Sequence, residues 1–225
     1  TGYDKMGWNL VNKNKLSVDR QDCPAFYCSF GSATAELGSL ERRFVTEVPL
    51  QKELLSKIAR EDVNPERRSK ALYLLTYVPD GAAVSELVGQ ALFDPSDTVR
   101  QAGMSILTDM AVYHTEVPIP VHQVLQMLDF PYPEDRSRAL ALMLSIASSA
   151  DYRSFMLYKA ADRILGLLKS KHPGIHTNAY TAITLLSGKS HGDRDHDAWD
   201  RWLWQARREE GDKLKAGDKG KFKFW

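Results

Sequence analysis

The chain lacks most of the features that announce a function. Two cysteines among 225 residues are too few for a fold held together by disulfides. No stretch reaches the roughly 18 uncharged apolar residues that a bilayer-crossing helix needs, because Arg, Asp or Pro interrupts each apolar run within a few turns. Net charge is almost absent as well. The 30 Lys+Arg are balanced by 29 Asp+Glu, whereas a protein devoted to polyanions carries a clear basic excess. There is no Gly-x-Ser-x-Gly elbow, no His-Glu-x-x-His pair and no glycine-rich phosphate loop, so the common nucleophile, zinc-protease and nucleotide signatures are missing. What remains, 43% hydrophobic and 26% charged residues, is the composition of an ordinary folded globular chain and excludes disorder.

Charge is unevenly placed. Residues 207–225 hold seven Lys/Arg and four Asp/Glu, a basic, Gly-punctuated end on a slightly acidic body, and such a run reads first as a solvated tail. Cys23 and Cys28 bracket Pro-Ala-Phe-Tyr. That spacing fits a local disulfide, two buried thiols, or half of a four-ligand metal site whose other half is not nearby. A disulfide implies an oxidising, extracytoplasmic compartment, secreted or periplasmic, and free thiols fit the cytoplasm. No leader is seen, and a chain that opens on Thr1 leaves an upstream segment open.

An internal repeat carries most of the information. Asn64-Pro65-Glu66-Arg67-Arg68, Asp94-Pro95 with Val99-Arg100, Pro133-Glu134-Asp135-Arg136 and His172-Pro173-Gly174-Ile175-His176 align so that Arg68, Arg100, Arg136 and His176 share a column, with periods of 32, 36 and 40 residues. Three positions on comes a small residue (Ala71, Gly103, Ala139, Ala179), and seven on an apolar one (Leu75, Leu107, Met143, Ile183). Each segment has Pro near a helix start, where the missing N–H costs nothing, followed by apolar residues at a 3.6 period.

Another amphipathic helix precedes each segment, carried by Leu50-Leu54-Leu55-Ile58, Val84-Leu87-Val88-Ala91, Val121-Val124-Leu125-Leu128 and Leu157-Ala160-Ala161-Ile164-Leu165-Leu168. One helix pair cannot bury both its apolar faces, and stacking pairs side by side makes them share a core. The expected fold is therefore all-α, a right-handed solenoid of about four helix pairs, whose small column lets paired backbones approach.

The ends depart from this pattern. Residues 1–45 read as an N-terminal extension, with Trp8–Asn12 and Lys15–Asp19 flanking Lys13-Asn14 like a short hairpin and Ala25–Gly31 as a third extended piece. The array spans 46–190, a capping helix 191–206 and the basic tail 207–225. Trp199, Trp202 and Leu203 at i, i+3, i+4 form a stripe able to close the last pair, since a solenoid end must be capped. Trp204 lies off that stripe.

The Asp-Pro…Val-Arg-x-x-Ala/Gly…Leu pattern resembles HEAT repeats. Cys28-Ser29-Phe30-Gly31, Phe130–Ala139 and Leu186-Ser187-Gly188-Lys189 with Asp197–Leu203 are similar to landmarks of a bacterial HEAT-repeat family without an established activity. The resemblance spans about 23–205; it implies the fold and no chemistry, cofactor or catalytic residue. His176 departs from the Arg column and Gly103 from its Ala, so the Arg-based polar ladder between repeats is expected to fail in the last one.

His191-Gly192-Asp193-Arg194-Asp195-His196-Asp197 is the densest polar cluster. Asp193, Asp195 and Asp197 are its weak metal candidates, but a calcium loop needs Gly where Ala198 stands and Glu where Trp204 stands. The competing reading has Asp197 capping the next helix. No cofactor is implied. The leading function is a non-enzymatic protein-binding scaffold whose concave face contacts a protein or peptide partner, through Arg67, Lys70, Gln101, Ser105, Arg138 and Asn178, with Trp204 as an exposed aromatic hot spot. The alternative is nucleic-acid binding, or an activity like that of HEAT-like DNA glycosylases, which needs a basic groove with an exposed Trp beside a carboxylate. A third reading, a lyase-like chaperone of a bound cofactor, has no residue to identify its ligand.

Overall fold

A computed structural model describes residues 9, 23–30, 34–147 and 149–215. The regular structure of these residues is helical, with no strand among them. The expected hairpin at 8–19 and the tail from 216 lie outside the described residues. The chain divides into two compact units between Pro120 and Val121.

The first unit contains α1 (Ala35–Glu47), a 3-10 turn at Pro49–Gln51, α2 (Lys52–Glu61), α3 (Pro65–Leu75), α4 (Gly81–Ala91) and α5 (Asp97–Tyr113). Starts are set locally. Asn64 caps α3 by accepting from Glu66 N, with Pro65 in the first turn, and Asp80 caps α4 by accepting from Ala83 N, so otherwise orphaned N–H groups are satisfied. Helix α3 packs on α2 and α5, and α4 packs on α5. Ala71, Leu75, Gly103 and Leu107 are all buried here.

Two features of this unit differ from the sequence reading. Helix α1 occupies the end of the extension expected to be irregular, started by Thr34, whose hydroxyl accepts from Leu37 N at 3.2 Å. The expected apolar face of α2 is buried only in part: Leu50, in the 3-10 turn before it, is 82% and Leu54 55% exposed, Leu55 and Ile58 are half-buried, and the small side chains of Ser56 and Ala59 are buried. The close α2–α3 packing is served by small groups rather than leucines.

Cys23 and Cys28 lie in disulfide geometry with Cα atoms 5.7 Å apart, the first of the three readings of that pair. The loop it closes is docked, not extended: Phe26 N donates to the Thr76 carbonyl at 3.1 Å, Thr76 Oγ1 donates to the Tyr27 carbonyl at 3.2 Å, and the Phe26 ring meets His114 edge-on at 5.1 Å. Gly81 is required there, because a Cβ would lie 2.8 Å from Phe26 Cζ and 2.7 Å from Val117 Cγ2.

The second unit contains α6 (Val121–Met127), α7 (Pro133–Ala147), a 3-10 turn at Ala150–Tyr152, α8 (Arg153–Phe155), a π-helical turn at Met156–Ala160, α9 (Ala161–Leu167), α10 (Pro173–Ser187) and α11 (His196–Lys215). Helix α7 packs on α6 and α10, α9 packs on α10, and α11 lies against the π turn and α9. Ala139, Met143, Ala179 and Ile183 are fully buried. In both units the column of small residues therefore sits at the same depth, inside the core.

Candidate functional site

The polar column beside the small residues comes first, because its composition varies. In α3 the Arg68 guanidinium donates from Nε and Nη2 to both Asp94 oxygens, each at 2.7 Å, and from Nη1 to the Asp62 carbonyl at 2.7 Å. Asp94 belongs to the next repeat, so this is a link between pairs, and its hydrogen bonds hold Arg68 protonated beyond the ordinary guanidinium. Arg100 donates from Nη1 to the carbonyls of Asp94 and Pro95 at 2.9 and 3.1 Å. Arg136 departs from this pattern, its Nε being buried without a hydrogen-bond partner.

His176 does not break the ladder as expected. Its Nδ1 lies 2.7 Å from the Leu168 carbonyl and its Nε2 2.9 Å from Asp193 Oδ2. Its hydrogen bond holds the Asp193 carboxyl below the usual carboxylate range, with the His176 and Arg194 charges acting the same way.

That geometry redistributes the acidic cluster. Asp193 faces His176, and Asp195 rather than Asp197 caps α11, accepting from Ala198 N at 3.1 Å. Asp197 sits exposed in the first turn of that helix. The three carboxylates have separate tasks, and among the described residues no three His, Cys, Asp or Glu side chains converge as metal ligands do. The loop is further tied down by Tyr180 Oη donating to the His191 carbonyl at 2.9 Å and Trp199 Nε1 donating to the Gly192 carbonyl at 2.9 Å. Trp199 is fully buried and Leu203 nearly so. Trp199 packs edge-on against His191 at 4.9 Å and Trp202 at 6.1 Å.

Several contact candidates are already engaged within their own unit. Arg67 pairs with Asp62 at 3.1 Å and Lys70 with Glu66 at 3.3 Å. Arg138 pairs with the fully buried Asp135 at 3.1 Å. Asn178 Nδ2 donates to the Ser137 carbonyl and hydroxyl at 3.1 and 3.2 Å, joining α10 to α7. Gln101 is exposed and Ser105 half-buried on α5.

Trp204 has a different setting. It is 63% exposed and borders a cleft of about 570 Å³ lined by Asp162, Leu203, Arg207, Arg208 and Gly211, with Asp200 and Asp212 at its rim on α11. The π turn packs against α11 beside the cleft. Leu157 in that turn accepts from Arg207 Nε at 2.8 Å, and Tyr158 Oη donates to the Arg207 carbonyl at 2.7 Å. Arg207 also grips Asp162 of α9 through Nη2 and Nη1 at 2.6 and 3.3 Å. π turns carry a packing cost and recur at functional sites. Gly211 lies within α11, where Gly costs about 1 kcal/mol relative to Ala, and a Cβ there would come 3.3 Å from Tyr158 Oη. The Arg208 guanidinium lies 4.6 Å over the Trp204 ring. Nearby, Ser154 Oγ donates to the Glu210 carboxylate, and Arg153 approaches the same carboxylate at 3.8 Å.

Of this cleft, sequence reasoning picked Trp204 as the contact residue, with Arg207 and Arg208 as cations near it. Tyr158 and Asp162 lie 49 and 45 residues from Arg207, and no local pattern in the sequence announces that they meet it. No model of a known protein family matches the chain, and no curated protein matches it.

Proposed function

We propose that the chain is a non-enzymatic protein-recognition module of HEAT-like helix pairs arranged as a solenoid, and that the Trp204 cleft is one of its contact sites. The observation that carries this reading is the exposure of a large aromatic, held by Arg208 and ringed by polar groups, which is the composition of an interface hot spot. Gly211, costly within a helix, supports it as part of the lining of that cleft. The Cys23–Cys28 disulfide supports an extracytoplasmic setting. No helix among the described residues is long and apolar enough to cross a membrane.

Nucleic-acid binding is less well supported. An exposed Trp beside a carboxylate is present, but the cleft holds Asp162, Asp200 and Asp212 against Arg207 and Arg208, and that balance repels phosphate.

Affinity capture from the native extract, run in parallel with the intact chain, W204A and the triple variant R67A/K70A/Q101A, tests the reading. A specific protein retained by the intact chain and depleted by W204A, with the circular dichroism spectrum unchanged, supports it. Equal retention by all three opposes the placement of the site at Trp204.

A further inference from the structure

The guanidinium of Arg68 is matched by a carboxylate at the head of the next repeat. Asp62, Asp94, Phe130 and Ser170 stand six positions before Arg68, Arg100, Arg136 and His176, and Arg68 takes Asp94 from the loop of the repeat that follows it. Applied to Arg136, the same register points to Ser170. Ser170 shapes its loop as Asp94 does: its hydroxyl accepts from His172 N at 3.2 Å, where the Asp94 carboxylate accepts from Ser96 N at 2.8 Å. That loop runs into α10, whose Asn178 donates to the carbonyl and hydroxyl of Ser137, the residue next to Arg136.

What Ser170 lacks is the carboxylate, and the deficit shows on the matching atom. In Arg68 it is Nε that donates to Asp94 Oδ2 at 2.7 Å, whereas Arg136 Nε is buried without a hydrogen-bond partner. A buried donor left unpaired carries a desolvation cost that an arriving acceptor recovers, a charged acceptor most of all. The acids closest in sequence are placed otherwise. Asp135 is fully buried and paired with Arg138, and Glu134 is two residues from Arg136, a spacing at which helix side chains do not face each other. Lys169 and Lys171, exposed on either side of Ser170, add positive charge to the same loop.

We propose that Arg136 binds an Asp or Glu side chain from an acidic segment of a partner protein, which takes the place beside Arg136 that Asp94 takes beside Arg68. This rests on the protein-recognition reading, adds a contact site to it and makes no use of Trp204.

The test titrates the full chain with three fluorescent peptides of equal length that bear Glu, Gln or Lys at alternate positions, read by anisotropy. The Glu peptide is expected to bind best and to weaken by about tenfold in R136M. Ser170→Asp supplies the missing carboxylate from within the chain, so it is expected to lower Glu-peptide binding as far as R136M does, while S170N leaves it in place. S170D is also expected to raise the melting temperature of the parent chain and not that of R136M. The control K57Q, on α2 of the first unit, removes an exposed cation and is expected to change nothing.

Preference for the Lys peptide, Glu binding indifferent to R136M or to S170D, or a melting temperature that S170D raises equally in both backgrounds overturns the proposal. If the Glu peptide depends on Arg136 while W204A depletes no captured protein, the Trp204 site falls and this one stands. If W204A depletes a protein and no peptide depends on Arg136, this one falls and the Trp204 site stands. Concentration-dependent dimerisation lost in R136M, or duplex DNA binding lost in R136M, also overturns it, by assigning the guanidinium to a second copy or to nucleic acid.

Discussion

The polar column is solved differently in the two units. In the first, Arg68 bridges consecutive repeats through a two-oxygen grip on Asp94 and a backbone carbonyl. In the second, Arg136 at the equivalent position has a buried Nε without a partner, and one repeat on, His176 reaches a backbone carbonyl and Asp193 instead. The small column beside it does not vary: Ala71, Gly103, Ala139 and Ala179 are all buried. The difference teaches that close backbone approach is the fixed requirement of the repeat. The polar link is a local choice, made with whatever carboxylate the neighbouring loop offers.

The comparison breaks most visibly at Asp94. Asp94→Ala strands Arg68, whose side chain is only 10% exposed, and removing one partner of a nearly buried pair costs about 2 to 3 kcal/mol. Urea unfolding should show the unfolding free energy falling by that amount, with the midpoint lowered and the slope unchanged. A loss below about 0.5 kcal/mol, typical of an exposed pair, would mean that the link does not stabilise the first unit.

Next is Gly103→Leu, in which even the first added carbon lies 3.2 Å from Leu92 Cδ2 and 3.4 Å from the Val88 carbonyl. Overpacking is expected to cost about 1 to 3 kcal/mol. Thermal melts of Gly103→Leu beside Gly103→Ala should show the larger residue as the worse, and equal melting temperatures would deny the small column its role.

Asp193 sharpens the other side of the comparison through pH. Its carboxyl is held below the ordinary range, first by the hydrogen bond to His176. A depressed folded-state value adds stability that is present above the unfolded carboxylate range and lost as pH falls through the folded one. The gap in melting temperature between the parent chain and Asp193→Asn should therefore be open at neutral pH and close on acidification below about pH 4. A gap that is constant across that window contradicts the link.

The smallest effect is expected at Arg136. Replacing a side chain with a buried, unpartnered Nε by Met of similar reach should change stability by less than about 1 kcal/mol, in either direction. A loss matching that of Asp94→Ala would show that Arg136 has a counter-charge after all.

How much of this the sequence shows depends on the distance over which each feature is encoded. The small and apolar columns are legible because they recur at helical spacing in every repeat, and burial leaves few alternatives at Leu75, Leu107, Met143 and Ile183. Leu50 and Leu54 mislead, because an amphipathic pattern has two readable faces when small residues such as Ser56 and Ala59 do the packing. The cap of α11 is misplaced by two residues, from Asp197 to Asp195, since several carboxylates precede the helix and only the backbone decides which accepts from Ala198. His176 carries the shape of its Arg predecessors' task in another side chain, and residue type alone hides that equivalence. The cleft is least legible: Trp204 can be picked as an exposed aromatic, but the contacts of Asp162 and Tyr158 with Arg207 span 45 and 49 residues and no local pattern announces them.

The most direct measurement of the central claim, that the Trp204 cleft is where a partner docks, is an NMR titration of the indole N–H signals with the protein recovered by affinity capture. Trp204 stands exposed at the cleft, while the Trp199 indole is buried and committed to the Gly192 carbonyl. A saturable shift of the Trp204 signal with that of Trp199 unmoved is the predicted result. A Trp204 signal that stays fixed while the partner binds elsewhere would contradict the account.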